Sequence, residues 1–128
     1  MTVDEFFAGF EDGKKIFSRL RKEFENLGDT SLRVSKSQIA VRRTKAFAWV
    51  WTPRRHLKGN RKIAPLVLSL AFASRDPSQR WKEIVEPTPG RFMHHLEMWS
   101  ADDVDDQVRD WLRKAWDAKD TTKRLRSK

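Results

Sequence analysis

Apolar and polar residues along this chain change period several times, and the changes outline its elements. Near the start, Thr2 stands three residues before Glu5, the spacing of a capping box, and predicts a short helix from Val3 to Ala8. From about Asp12 to Leu27, Ile16, Phe17, Leu20, Phe24 and Leu27 recur at the three- and four-residue spacing of one helix stripe. Gly28 is placed to end that helix in a left-handed cap.

The period then shortens to two, and a connector leads into a strand predicted around Leu32 to Lys36. In SKSQIAVRRTKAFAWVW, Ile39 and Val41 share one side of a second strand, with Gln38, Ala40 and Arg42 on the other. Arg43, Thr44 and Lys45 have hairpin-loop length. Beyond them Phe47, Trp49 and Trp51 alternate with Ala46, Ala48 and Val50. The expectation is a bulky face (Ile39, Val41, Phe47, Trp49 and Trp51) turned to the core, and a smooth face left open.

Thr52 to Pro65 is rich in turn residues and basic groups and reads as an exposed, mobile loop. Leu66 to Ala73 is the clearest strand, with Leu66, Leu68, Leu70 and Phe72 on one side. Arg75 to Gln79 reads as a turn, with Ser78 a turn residue, and Trp81 to Glu86 as either a short strand or a helical turn, strand being favoured because Pro87 and Pro89 follow and disfavour helix. Arg91 to Trp99 alternates again. Ser100 and Asp103 repeat the capping-box spacing ahead of a last helix. Its apolar stripe is Val104, Val108, Trp111, Leu112, Ala115 and Trp116, and four aspartates between Asp102 and Asp106 suit its N-terminal dipole.

Strands bracketed by helices predict an α+β two-layer sandwich, the N- and C-terminal helices packed on one face of a four- or five-stranded, mainly antiparallel sheet. Residues 1–118 form the single domain, and 119–128 a basic flexible tail.

Composition narrows the function classes. The 128 residues contain no cysteine, so disulfides and thiolate metal sites are excluded and a cytoplasmic location is expected. Asp4 and Glu5 stand where a signal peptide would carry positive charge, and no apolar run approaches the roughly 20 residues that span a bilayer, so no membrane association is expected. The net charge of +9 is unevenly spread. Residues 30–75 hold eleven lysines and arginines and no acid, whereas the flanking stretches 1–29 and 76–118 are net negative. Such a field favours a polyanion, nucleic acid being the chief candidate.

Several segments together resemble a family of small bacterial domains of unknown function, the one catalogued as domain of unknown function 5655. They are Ser35-Lys36-Ser37-Gln38-Ile39-Ala40, Phe47-Ala48-Trp49-Val50-Trp51-Thr52-Pro53, Ser78-Gln79-Arg80-Trp81-Lys82-Glu83, His94-His95-Leu96-Glu97 and Trp111-Leu112-Arg113-Lys114-Ala115. The resemblance implies a compact α+β domain, more distantly similar to the YdhG-like and frataxin-like architecture, and implies no activity. The acidic first-helix ridge of frataxin-type iron binding has no counterpart, since Lys14, Lys15, Arg19, Arg21 and Lys22 make that helix mixed in sign.

No catalytic signature emerges. Adjacent strand residues point to opposite faces, so His94 and His95 do not clasp one metal; no metal site and no cofactor are expected. If Phe92, His94, Leu96 and Met98 face the helices, His94 reads as a hydrogen-bonded, partly buried histidine. The open face collects a candidate ligand site of Lys36, Gln38, Arg42, His95 and Glu97, joined by Ser69, suited to a phosphate or carboxylate. Polyanion contact falls to Arg43, Lys45, Arg54, Arg55, Lys58, Arg61 and Lys62, with Lys123, Arg124 and Arg126 of the tail. The chain thus reads first as a non-enzymatic module for a polyanion. The alternatives are a small-ligand domain or enzyme using the open face, and a protein-interaction module, for instance a homodimer through a sheet edge.

Overall fold

The computed structural model describes residues 1–55 and 62–119. Helix α1 (Val3–Phe6) is closed by the expected Thr2–Glu5 box and is followed by α2 (Glu11–Leu27). Then come β1 (Ser31–Val34), β2 (Ile39–Arg42), β3 (Ala46–Trp51), a 3-10 turn at Pro53–Arg55, β4 (Leu66–Phe72), β5 (Glu83–Thr88) and β6 (Arg91–Met98). A second 3-10 turn, Ala101–Asp103, precedes α3 (Asp106–Asp117). The strands form one antiparallel sheet of six in the order β1-β2-β3-β4-β6-β5, one or two more than the periodicity predicts.

The α+β sandwich is as expected: α2 and α3 pack together and cover one face of the sheet, over β3 and β4. Phe6, Phe7, Phe17 and Phe24 run from α1 along α2 as a train of ring contacts that ends on Phe47 of β3. Facing them are Ile39, Val41, Leu66, Leu68, Leu70, Leu96 and Met98, all essentially inaccessible to water. Glu23 of α2 bridges the helices through Arg109 of α3 at 2.9 Å and is also paired within α2 with Arg19 at 2.8 Å.

Strand β3 departs from the expected alternation. Val41 pairs with Ala48 and Arg42 with Ala46, so Phe47 is the unpaired residue of a β-bulge. The extra residue shifts the phase of the strand by one. Phe47 and Ala48 both turn to the helices, Val50 follows, and Trp49 and Trp51 emerge on the opposite face, half-buried, not in the core where strict alternation places them. The small side chains of Ala48 and Val50 let the helices approach. The open face is consequently floored by tryptophan and is not smooth.

Other corrections are local. Thr52 and Pro53 at one end of the segment 52–65, and Ile63 to Pro65 at the other, are buried instead of exposed; Arg54 Nε donates to the Ile63 carbonyl at 3.0 Å and Arg55 donates to the Phe6 carbonyl of α1, while residues 56–61 lie outside the described residues. The Ser100–Asp103 box caps the 3-10 turn, and α3 has its own cap in Asp105, which accepts from the Val108 amide at 3.1 Å. Gly28 takes a positive φ of 130° with an extended ψ, outside the left-handed helical region, and a Cβ there would come within 3.0 Å of the Trp116 ring. At the β5–β6 turn Gly90 supplies the positive φ, 78°, that a two-residue connection requires. Lys119, the first residue of the expected tail, closes α3: its amide donates to the Trp116 carbonyl at 3.1 Å and its own carbonyl accepts from Thr44 Oγ1 at 3.1 Å.

Candidate functional site on the open sheet face

Pairing across the strands decides which side chains meet on the face away from the helices. One row runs Arg33, Ala40, Trp49, Ser69, His95, Glu83 from edge to edge of the sheet, and a second carries Trp51, Val67 and Glu97. Near its centre three groups are linked. Trp51 Nε1 donates to Ser69 Oγ at 3.3 Å, and Ser69 Oγ lies 2.7 Å from His95 Nδ1. Ser69 is buried although it faces away from the helices, because the tryptophan and imidazole rings lie over it.

Two concavities meet at this cluster. The larger, about 430 Å³, has an apolar wall of Trp51, Pro53, Ile63 and Val67 and a polar wall of Lys62, Lys82, Glu83, His95 and Glu97. The smaller, about 290 Å³, is lined by Gln38, Trp49, Trp51, Ser69, Arg91, Met93 and His95. Arg91 is the one ionised side chain of the smaller hollow and stacks over Trp49 at 5.7 Å. Burial in this setting pushes the His95 pKa down, and the carboxylate of Glu83 acts in the other direction.

Of the residues assigned to the open face from sequence, Gln38 and His95 line the smaller hollow, and His95 and Glu97 the larger. Lys36 and Arg42 line neither; Arg42 Nη2 donates to the Thr44 carbonyl at 3.4 Å. Sequence reasoning passed over Arg91 and Met93, although they share the odd-numbered face of β6 with His95 and Glu97. That parity was the available signal. Trp49, Trp51 and Glu83 had none, since the bulge and the strand order bring them in.

The basic groups assigned to a polyanion have varied surroundings. Arg43 stacks 3.4 Å over Trp116 and donates to its carbonyl, Arg54 pairs with Asp12 at 3.4 Å, and Arg55 lies over Phe6 and Phe10. Lys45 is exposed on the β2–β3 turn and Lys62 borders the larger hollow. Lys58, Arg61, Lys123, Arg124 and Arg126 lie outside the described residues.

The opposite side of β6 shows a polar cluster of another kind. His94 is fully buried: its Nε2 accepts from the Asp76 amide at 3.0 Å, so Nδ1 bears the hydrogen and donates to the Phe92 carbonyl at 3.0 Å. Burial holds its pKa below the usual value. Asp76 accepts from Trp81 Nε1 at 2.9 Å, Trp111 Nε1 at 3.3 Å and the Ser78 amide at 3.1 Å. Burial alone would raise the Asp76 pKa, but these donors outweigh it and leave it lowered. Ser78 is a turn residue, its Oγ accepting from the Arg80 amide, and Arg80 bridges to Asp105, Gln107 and the Asp103 carbonyl. This cluster ties the β4–β5 connection to α3.

Among the described residues no three histidine, aspartate or glutamate side chains gather as a metal site, and no described helix is long and apolar enough to cross a membrane. Two further concavities carry charge pairs in their walls: Arg54 with Asp12 at the start of α2, and Glu23 with Arg109 between α2 and α3.

The fold and the site together define a small two-layer α+β domain with one helix-covered sheet face and one open face floored by tryptophan. Over residues 3–119 the chain matches the model of the family described as Domain of unknown function (DUF5655), and it belongs to that family. No curated protein and no solved structure matches it.

Proposed function

We propose that this domain is a binding module whose open sheet face takes a small, planar, anionic molecule. The supporting observation is the meeting of two hollows at Trp51 and His95, with Ser69 lining the smaller, where aromatic walls and a few convergent polar groups occupy a concavity of ligand size. Trp49, Trp51 and Met93 offer flat apolar contact, and Arg91 offers the charge-assisted bond that favours a carboxylate or phosphate. The larger hollow balances Lys62 and Lys82 against Glu83 and Glu97, so the anionic group belongs in the smaller one.

Thermal shift and calorimetry with aromatic carboxylates, phenylphosphate and their neutral analogues test this reading. The acidic compounds should raise the melting temperature and the neutral ones should not. Arg91→Ala should remove the effect and Arg42→Ala should keep it. If no acidic compound stabilises the protein, or if Arg91→Ala responds as the parent does, the reading fails.

A second reading, contact with nucleic acid or another polyanion, draws on the five basic and no acidic residues of positions 31–51. It requires affinity that falls steeply with salt, by about 0.7–0.9 in logarithmic slope per phosphate neutralised. A flat salt response removes it.

A further inference from the structure

Ser69 has two polar neighbours, and their chemistry fixes where its proton goes. An indole N–H only donates, so Trp51 occupies a lone pair of Ser69 Oγ. Among the described residues the one acceptor in reach of the Ser69 hydroxyl hydrogen is His95 Nδ1, at 2.7 Å. A neutral imidazole carries a single N–H; with Nδ1 accepting, it sits on Nε2. Among the described residues no buried side-chain nitrogen or oxygen lacks a partner, and none of them partners Nε2, so Nε2 opens into the hollows that His95 lines.

We infer that Ser69 sets His95 as an Nε2–H donor, and that the open face therefore selects its ligand by an acceptor oxygen, of a carboxylate or phosphoryl group, over a metal or organic cation. This rests on the open-face reading above and gives Ser69 the role of a positioning residue. To ligate a metal through Nε2, the ring must move its proton to Nδ1, which then faces Ser69 and leaves the hydroxyl hydrogen without an acceptor. His94, one residue earlier, is set in the opposite tautomer by the Asp76 amide. The two rings serve as mutual references in one spectrum.

The test is long-range proton–nitrogen NMR on the full ¹⁵N-labelled chain at about pH 7.5, above the ordinary imidazole pKa. His95→Gln assigns the signals. His95 should show the Nε2–H pattern and His94 the Nδ1–H pattern; an Nδ1–H or cationic His95 overturns the inference. Benzoate, phenylphosphate, benzylamine and Zn²⁺ are then added separately. Benzoate or phenylphosphate should move the His95 Nε2–H signal, their relative effect distinguishing carboxylate from phosphoryl recognition, while benzylamine and Zn²⁺ leave it in place. Zn²⁺ displacing that proton overturns the inference. Anionic probes that raise the melting temperature without moving Nε2–H also overturn it, and leave the open-face reading standing. If no probe binds at all, the open-face reading falls and the selection rule with it, whatever the tautomer. Ser69→Ala should change the His95 Nδ1 shift and weaken the bound probe by about tenfold. An unchanged shift and affinity remove Ser69 from the role.

Discussion

His94 and His95 are chain neighbours on β6, yet they belong to two different chemistries. The His94 ring is inaccessible to water and uses both nitrogens within the protein. His95 uses one nitrogen and presents the other to a hollow. The same division separates the two faces of the sheet. On the helix side, Asp76 holds two indole N–H groups and an amide inside a closed network. On the open side, Trp49, Trp51, Arg91 and His95 form the walls of a hollow, and among the described residues the Nε2 of His95 has no partner there. A satisfied polar group stabilises and fixes geometry, whereas a placed but half-satisfied one is where a ligand gains most.

Adjacent substitutions on one strand should split along that division. Leu68→Ala, at the centre of β4 and facing the helices, should cost about 2–5 kcal/mol in urea unfolding and leave the tautomer of His95 unchanged. A cost as small as that of a surface change would deny that the core lies on that side. Asp76→Asn comes next, at about 2–3 kcal/mol, because an amide cannot accept from all three donors that the carboxylate serves. Altered near-ultraviolet dichroism of Trp81 and Trp111 should accompany it.

Acid should weaken the helix side in two stages. The folded-state pKa of His94 is lowered from about 6.5, so its contribution is full above that value and is lost as pH falls, when the unfolded chain takes up a proton that the folded ring refuses. The lowered carboxyls of Asp76 and Asp105 act with the same sign at lower pH, their stabilisation present above about pH 4 and lost below it. In His94→Leu the decline in urea midpoint between about pH 7.5 and 5.5 should flatten, although the variant is less stable throughout. An unaltered decline would show that another group carries it.

Ser69→Ala should cost only about 1 kcal/mol of stability, one ordinary hydrogen bond, and act chiefly on the open face. Arg42→Ala should be smallest, within about 0.5 kcal/mol, with ligand response retained. Loss of that response would extend the site beyond the two hollows towards β2.

Most of the architecture follows from local pattern. The stripe from Ile16 to Leu27, the alternation of Leu66 to Phe72 and the Thr2–Glu5 box each specify their element through contacts between residues a few positions apart, and period and capping are local properties of a chain. The parity of β6 likewise separates His94 from His95 before any partner strand is known. What the chain pattern left open was settled by contacts between residues far apart. The bulge at Phe47 depends on how β3 registers against β2 while Phe47 meets Phe24, and it reverses the side on which Trp49 and Trp51 stand. The order β4-β6-β5 sets Ser69 and Glu83 on either side of His95. A fold class needs only periods, but a site needs register, and register is decided by the pairing of strands and the packing of the core.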